Sequence, residues 1–176
     1  MPELLLGSGH SKTKQVVPDK SSPFFTNLTT CDFVEETKPD VLHDLNVLPW
    51  PFESDFFDEV HAYNVLEHLG RQGDFLSFFA HFSEIYRILK PGSFLCAITV
   101  PHNSKWLWGD PGHTRAIQPE SLVFLDQNEY AKQLGKTAMS DYTFCYKADF
   151  QTIQILTGDE AFGFILKAIK PSRWKK

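Results

Sequence analysis

Three runs within one stretch decide how this chain folds: Phe56-Phe57-Asp58-Glu59-Val60, then Asn64-Val65-Leu66-Glu67-His68-Leu69, then Glu84-Ile85-Tyr86-Arg87-Ile88-Leu89-Lys90-Pro91-Gly92. The first run opens an apolar strand, Phe57–Asn64. Between the second and third, Phe75, Leu76, Phe79, Phe82, Ile85, Tyr86 and Leu89 recur at spacings of three and four. That stripe predicts an amphipathic helix over Gln72–Leu89 whose apolar face is core. Lys90-Pro91-Gly92 should stop it, because proline cannot continue the ladder and glycine permits the positive φ of a type II turn. Phe94–Val100 then reads as a buried central strand.

Working outward, strand and helix patterns alternate. Leu4-Leu5-Leu6 is a short apolar strand cut off by Gly7. Phe24–Asp32 and Pro39–Asp44 read as the second and third strands, and the crossover between the first two, with Pro18, has room for only a brief helix. Pro119 with Glu120 opens a helix to about Gln127. Tyr142–Thr157 and Phe162–Lys170, joined by Gly158-Asp159-Glu160, predict a closing antiparallel hairpin. The expectation is an α/β fold: a Rossmann-like three-layer sandwich with a mostly parallel sheet. One domain spans residues 1–176, with a ligand-binding half at 1–101 and a loop, helix and hairpin at 102–176.

Composition narrows the function. The 176 residues are 42% hydrophobic and 22% charged, an ordinary globule, with 16 Phe to fill a small core. A net charge of −5 without a long basic run argues against a broad nucleic-acid surface. Lys170, Arg173, Lys175 and Lys176 make a mildly basic tail. Cys31, Cys96 and Cys145 are odd in number and far apart, as expected of free thiols. No apolar run is long enough for a membrane span, and Met1-Pro2-Glu3 lacks a basic secretory start, so the expected location is cytoplasmic.

Four residue groups point to a nucleoside ligand. Gly7-Ser8-Gly9 directly after a strand lets a ligand press against bare backbone, although the pattern also fits an ordinary turn. Asp32, 25 residues after Gly7, stands where a carboxylate would bond ribose hydroxyls, or equally where a loop aspartate would be solvated. Val41-Leu42-His43-Asp44-Leu45 can offer an acid to an adenine amine and an apolar residue to its ring; a turn cap explains Asp44 equally well. The decisive group is the opening stretch itself.

Taken in order, the Gly7 turn, the His43–Phe52 segment and the motifs from Phe57 to Gly92 resemble class I S-adenosylmethionine-dependent methyltransferases of the small-molecule, type 11-like family. The resemblance covers Leu4 to Pro101. It implies S-adenosyl-L-methionine as cofactor, with Gly7, Ser8 and Gly9 lining its methionine part. Asp32 would hold the ribose, and Asp44 with the Leu45 backbone would face adenine. Asn64 would sit near the methyl end, with His68 either beside it or packed at a helix start. The chain departs from the family pattern at Leu5, where an acid is frequent, at Ser11, where a third glycine is frequent, and in lacking helices before the first strand.

Methyl transfer by in-line displacement needs alignment and, for a hydroxyl or protonated amine, a base. The Trp-, Gly- and His-rich loop after Phe94–Val100 supplies His113 as candidate base and Arg115 as candidate anchor for a substrate anion, each with a structural alternative. No Asp/Asn-Pro-Pro-aromatic or Pro-Cys motif occurs, which disfavours DNA base methylation. His43, His61, His68 and Asp44 show no metal-ligand spacing, so no metal is expected. A non-catalytic cofactor-binding module is the alternative function, and a nicotinamide dehydrogenase a weaker one. The expected partner is a small molecule, with a second copy of the chain as a candidate source of pocket cover in a homodimer.

Overall fold

The computed structural model describes residues 1–174; Lys175 and Lys176 of the basic tail lie outside them. Seven strands form one sheet: β1 (Glu3–Leu6), β2 (Leu28–Asp32), β3 (Val41–Leu42), β4 (Phe57–Tyr63), β5 (Leu89–Thr99), β6 (Phe150–Thr157) and β7 (Phe162–Ala168). Their order is β3-β2-β1-β4-β5-β7-β6, with β1 to β5 parallel and β7 antiparallel to both neighbours. The expected Rossmann-like sheet with its closing hairpin is therefore present. The helices are α1 (Phe75–Ile88), α2 (Trp106–Gly109), α3 (Pro119–Val123) and α4 (Gln127–Gln133).

Several boundaries differ from the expectation, each for a visible reason. β2 begins at Leu28 and not at Phe24, because the Glu3 carboxylate takes the amides of Thr26 and Asn27. β3 shrinks to two residues because Asp40 turns to accept from Thr30 N and Oγ1. The Asp74 side chain caps α1 by accepting from Ser77 N at 3.0 Å, so the helix starts at Phe75. Lys90-Pro91-Gly92 does not separate helix from strand: β5 already starts at Leu89 and bulges there, with Gly92 at φ +79°. Tyr142–Asp149 is not strand. It folds Tyr142 and Tyr146 onto α1, 4.8 Å from the Phe75 ring and 4.7 Å from that of Phe79. Asp126, capping Asn128 and Glu129, ends the expected Pro119–Gln127 helix early and starts α4.

The two sheet faces are covered differently. On one, Leu4, Leu6, Val60, Ala62, Leu95 and Ala97 bury against α1, α3 and the Leu45–Trp50 segment in the large core. On the other, Leu5, Tyr63, Cys96 and Ile165 meet Val16 and Phe25 of the β1–β2 crossover, which holds no helix.

That crossover is held by polar groups. Glu3 and Glu59 are direct neighbours across β1 and β4, and Glu59, His61 and Tyr63 share a face at spacing two. Lys14 Nζ reaches 2.7 Å from Glu3 Oε1 and 2.5 Å from Glu59 Oε2, with all three side chains 1–2% exposed. Tyr63 Oη accepts from Gln15 N and Val16 N. Its own proton therefore goes to His61 Nδ1 at 2.6 Å, and His61 Nε2–H donates to Glu59. Burial lowers the His61 pKa, which agrees with a neutral ring. Burial alone would raise the Glu59 pKa, but the bonds from His61 and Lys14 hold it at about 2. Glu3, Glu59 and His61 have ligand atoms close enough for a metal ion, yet the Lys14 ammonium already bridges both carboxylates.

Lys14→Met should cost about 3–5 kcal/mol in denaturant unfolding, because it strands two buried carboxylates. The wild-type contribution of Glu59 is complete above the ordinary carboxylate value of 4.5 and fades as pH falls toward about 2. The variant's carboxylates are pushed the other way, so the stability gap should close on acidification. A gap independent of pH would show that the ion pairs are not its source.

Candidate functional site

The site starts where β1 ends. Gly7 has φ +57°, and a Cβ there would lie 2.5 Å from Val65 Cγ2, so only glycine lets this turn pack on the residues after β4. Ser8 N donates to Cys31 O, which brings the turn beside the end of β2. There Asp32 accepts from Gly9 N at 2.8 Å through Oδ2 and from Val34 N at 2.9 Å through Oδ1. Each oxygen keeps a lone pair for a further donor. A Cβ on Gly9 would meet nothing within 4 Å, so its backbone borders open space.

That space is a cavity of about 550 Å³, lined by Gly7, Gly9, Asp32, Asp44, Leu45, Asn64 and His68 among others. Seven positions singled out in the sequence thus converge on one hollow at the C-terminal ends of β1, β2 and β4. Ser8 does not line it; its side chain is buried and the hydroxyl has no partner. Asp44 is exposed and bends one oxygen back to Asn46 N at 2.9 Å, a turn cap beside the cavity. Leu45 is held from behind, its carbonyl accepting from Trp50 Nε1. Asn64 adopts φ +52°, a left-handed conformation that asparagine tolerates, and its amide donates to Ile98 O.

The Gly109–Arg115 loop turns both candidate side chains onto backbone carbonyls. His113 lies outside the cavity lining, its side chain 6% exposed and its Nδ1 donating to Leu107 O. Arg115 is buried, and its guanidinium donates to the carbonyls of Leu69, Arg71 and Asp74 while lying 5.1 Å over the Phe78 ring. These bonds pin the segment after β4. Thr114 N and Arg115 N also donate to Glu67 O. The result brings Gly112 O to 2.9 Å from His68 Nδ1. A carbonyl only accepts, so Nδ1 carries the proton and Nε2 the lone pair. The His68 ring also meets that of His113 edge-on at 4.7 Å.

Three features were not singled out from sequence. Phe33 is 72% exposed and lines the cavity next to Asp32; an aromatic directly after the strand-ending acid was the available signal. Glu67 is fully buried with neither carboxylate oxygen bonded, and burial raises its pKa. A second cavity, of about 480 Å³, opens beyond β5 between Pro101–Asn103, the start of α3 and the β6–β7 turn. Its position depends on how the hairpin pairs, which no local pattern reports.

A family model described as a methyltransferase domain matches residues 7–97, just over half the chain. A SAM-dependent methyltransferase from Archaeoglobus fulgidus superposes with a TM-score of 0.58 at 18% identity, over 94% of this chain and 85% of that one. The N-methyltransferase NodS from Bradyrhizobium japonicum, in complex with S-adenosyl-L-homocysteine, gives 0.53 at 13% identity over 95% and 77%. The YcgJ protein of Bacillus subtilis gives 0.54 at 13% over 96% and 91%. No curated protein matches the sequence.

Asp32→Ala should weaken binding of S-adenosylhomocysteine by about 1–3 kcal/mol, the scale of a charge-assisted hydrogen bond. Calorimetry on the two proteins measures it. Equal affinities would mean that the carboxylate does not face the ligand.

Proposed function

Because the chain belongs to the methyltransferase-domain family, we propose that it transfers a methyl group to an oxygen or nitrogen of a small molecule by in-line displacement. It is an S-adenosylmethionine-dependent methyltransferase. The observation that carries the reading is the 2.8 Å bond joining Gly9 N to Asp32 Oδ2 at the wall of a single cavity. The residues present fit the cofactor: a bare glycine turn faces open space, and a carboxylate with spare lone pairs stands beside it.

Asp32 holds the ribose hydroxyls, while Leu45 and Asp44 face the adenine and Phe33 offers an aromatic surface at the rim. Gly7 and Gly9 admit the methionine part, and Ser8 holds the turn through its amide. Asn64 stands at the methyl end. When bound, the cofactor supplies an electrophilic methyl on a sulfonium, so the protein's work is alignment and exclusion of water. The cofactor belongs to the 1–101 half, and the acceptor enters the same cavity from the rim formed by His68 and by Gly112 of the 102–176 half.

The base moves from the expected His113 to its neighbour. His68 borders the cavity, and Gly112 O fixes its tautomer so that Nε2 can accept a proton from the acceptor. His113 and Arg115 are positioning residues that hold the loop carrying Gly112.

No described helix is long and apolar enough to cross a membrane. Burial and the neighbouring Asp32 push the Cys31 thiol up to about 12, and Cys96 is buried and unpaired. Inert free thiols of this kind suit a reducing cytoplasm.

The test is release of S-adenosylhomocysteine from S-adenosylmethionine against a panel of small hydroxyl and amine acceptors. Acceptor-dependent release is expected. Tight cofactor binding with no release from any acceptor would leave a binding module instead. With the acceptor so found, His68→Gln should lower kcat roughly 10²–10⁴-fold, with S-adenosylhomocysteine affinity nearly unchanged. An unchanged kcat would remove His68 as the base.

A further inference from the structure

The two ends of the sheet are not alike. β3 offers an edge of two residues, whereas β6 offers eight: Phe150-Gln151-Thr152-Ile153-Gln154-Ile155-Leu156-Thr157. This edge contains no charge, no proline and no glycine. Natural edges are usually blunted by such residues or covered by another element. β6 has only the irregularity at Ile153, and it pairs with β7 on one side alone. Ile153, Ile155 and Leu156 are 48%, 42% and 41% exposed, on a strand with high β propensity. An open, uncharged edge of this length is a template for another strand.

We propose that β6 is a dimer seam, pairing antiparallel with β6 of a second copy of this chain about a two-fold axis near Ile153 and Gln154. The charges at its ends select that occupant. Lys147 precedes the strand and Asp159-Glu160 follow it; all three are exposed, and none has an ion-pair partner among the described residues. In an antiparallel self-pair, Lys147 of each copy lies beside the acidic turn of the other. The two-fold axis repeats the match, giving two opposite-charge contacts and no like-charge one. Parallel pairing would set lysine against lysine and acid against acid. The isologous contact also closes on itself, so assembly stops at two copies.

The seam bears on the second cavity, since Thr157, Gly158 and Asp159 line it. The second copy's Lys147 would stand beside that wall. The dimer would therefore complete one side of the cavity while leaving the cofactor cavity, at the far strands, untouched.

Sedimentation equilibrium of the full chain should show a monomer–dimer equilibrium with no larger species. Ile155→Lys should give monomer, with S-adenosylhomocysteine affinity as in the wild type and the melting temperature of wild type diluted to monomer. Lys147→Glu and Glu160→Lys should each weaken the dimer roughly tenfold by setting like charges together at both ends. The double variant should restore it, because the swapped charges again match. A wild-type monomer at every concentration, a dimer indifferent to Ile155→Lys, or a double variant no tighter than the singles would overturn the proposal. Loss of cofactor binding in Asp32→Ala leaves this result unaffected, so the two readings fail separately.

Discussion

One ammonium group holds together what the β1–β2 crossover would otherwise leave loose. Lys14 sits between Glu3 and Glu59, on adjacent strands, in a space nearly closed to water. Two carboxylates there without a cation would repel each other, and burial would drive at least one to take up a proton. With Lys14 in place they become an anchor. Glu3 ties down Thr26 and Asn27 at the far end of the crossover, and Tyr63 ties down Gln15 and Val16 in its middle. The segment that leaves Gly9 and returns to β2 therefore has a fixed path without a helix.

The cavity beside the glycine turn inherits that order. Its glycine turn is clamped on one side by Val65, which leaves no room for a Cβ at Gly7, and on the other by Asp32 and Cys31 at the end of β2. A second clamp comes from the loop after β5. Arg115 reaches into the segment after β4 and satisfies three carbonyls, and its neighbours present Gly112 O to His68. The guanidinium's bonds to backbone thus help to give the imidazole a defined tautomer.

Much of this was legible along the chain. The stripe from Phe75 to Leu89, the strand ending at Asn64, the Gly7 turn and the acid at Asp32 rest on local rules: helical spacing, alternation, and the conformational freedom of glycine. The hairpin was also legible, because an apolar run, a Gly-Asp-Glu turn and a second apolar run carry their own signal. What failed was local in appearance only. Phe24–Asn27 has strand-like composition, but its amides are claimed by Glu3 from another strand. Tyr142–Asp149 likewise has aromatic residues that suit a strand, and they pack on α1 instead. His113 was a candidate base with a backbone-tied loop histidine as the alternative; in the fold its ring bonds Leu107 O, and His68 lines the cavity.

The amino-acid sequence by itself determined the order of the strands along the chain, the long helix, the glycine turn and the family to which they belong. The first three follow from periodicity and from residue types whose backbone preferences act over a few positions; the family rests on the resemblance of the motifs from Gly7 to Gly92 and on the family-model match over residues 7–97. Only the tertiary structure decided that His68 borders the cavity while His113 does not, that Arg115 serves backbone carbonyls, and that Lys14 neutralises two glutamates. These outcomes depend on groups dozens of residues apart meeting at hydrogen-bond distance, and on the burial that makes each such meeting strong.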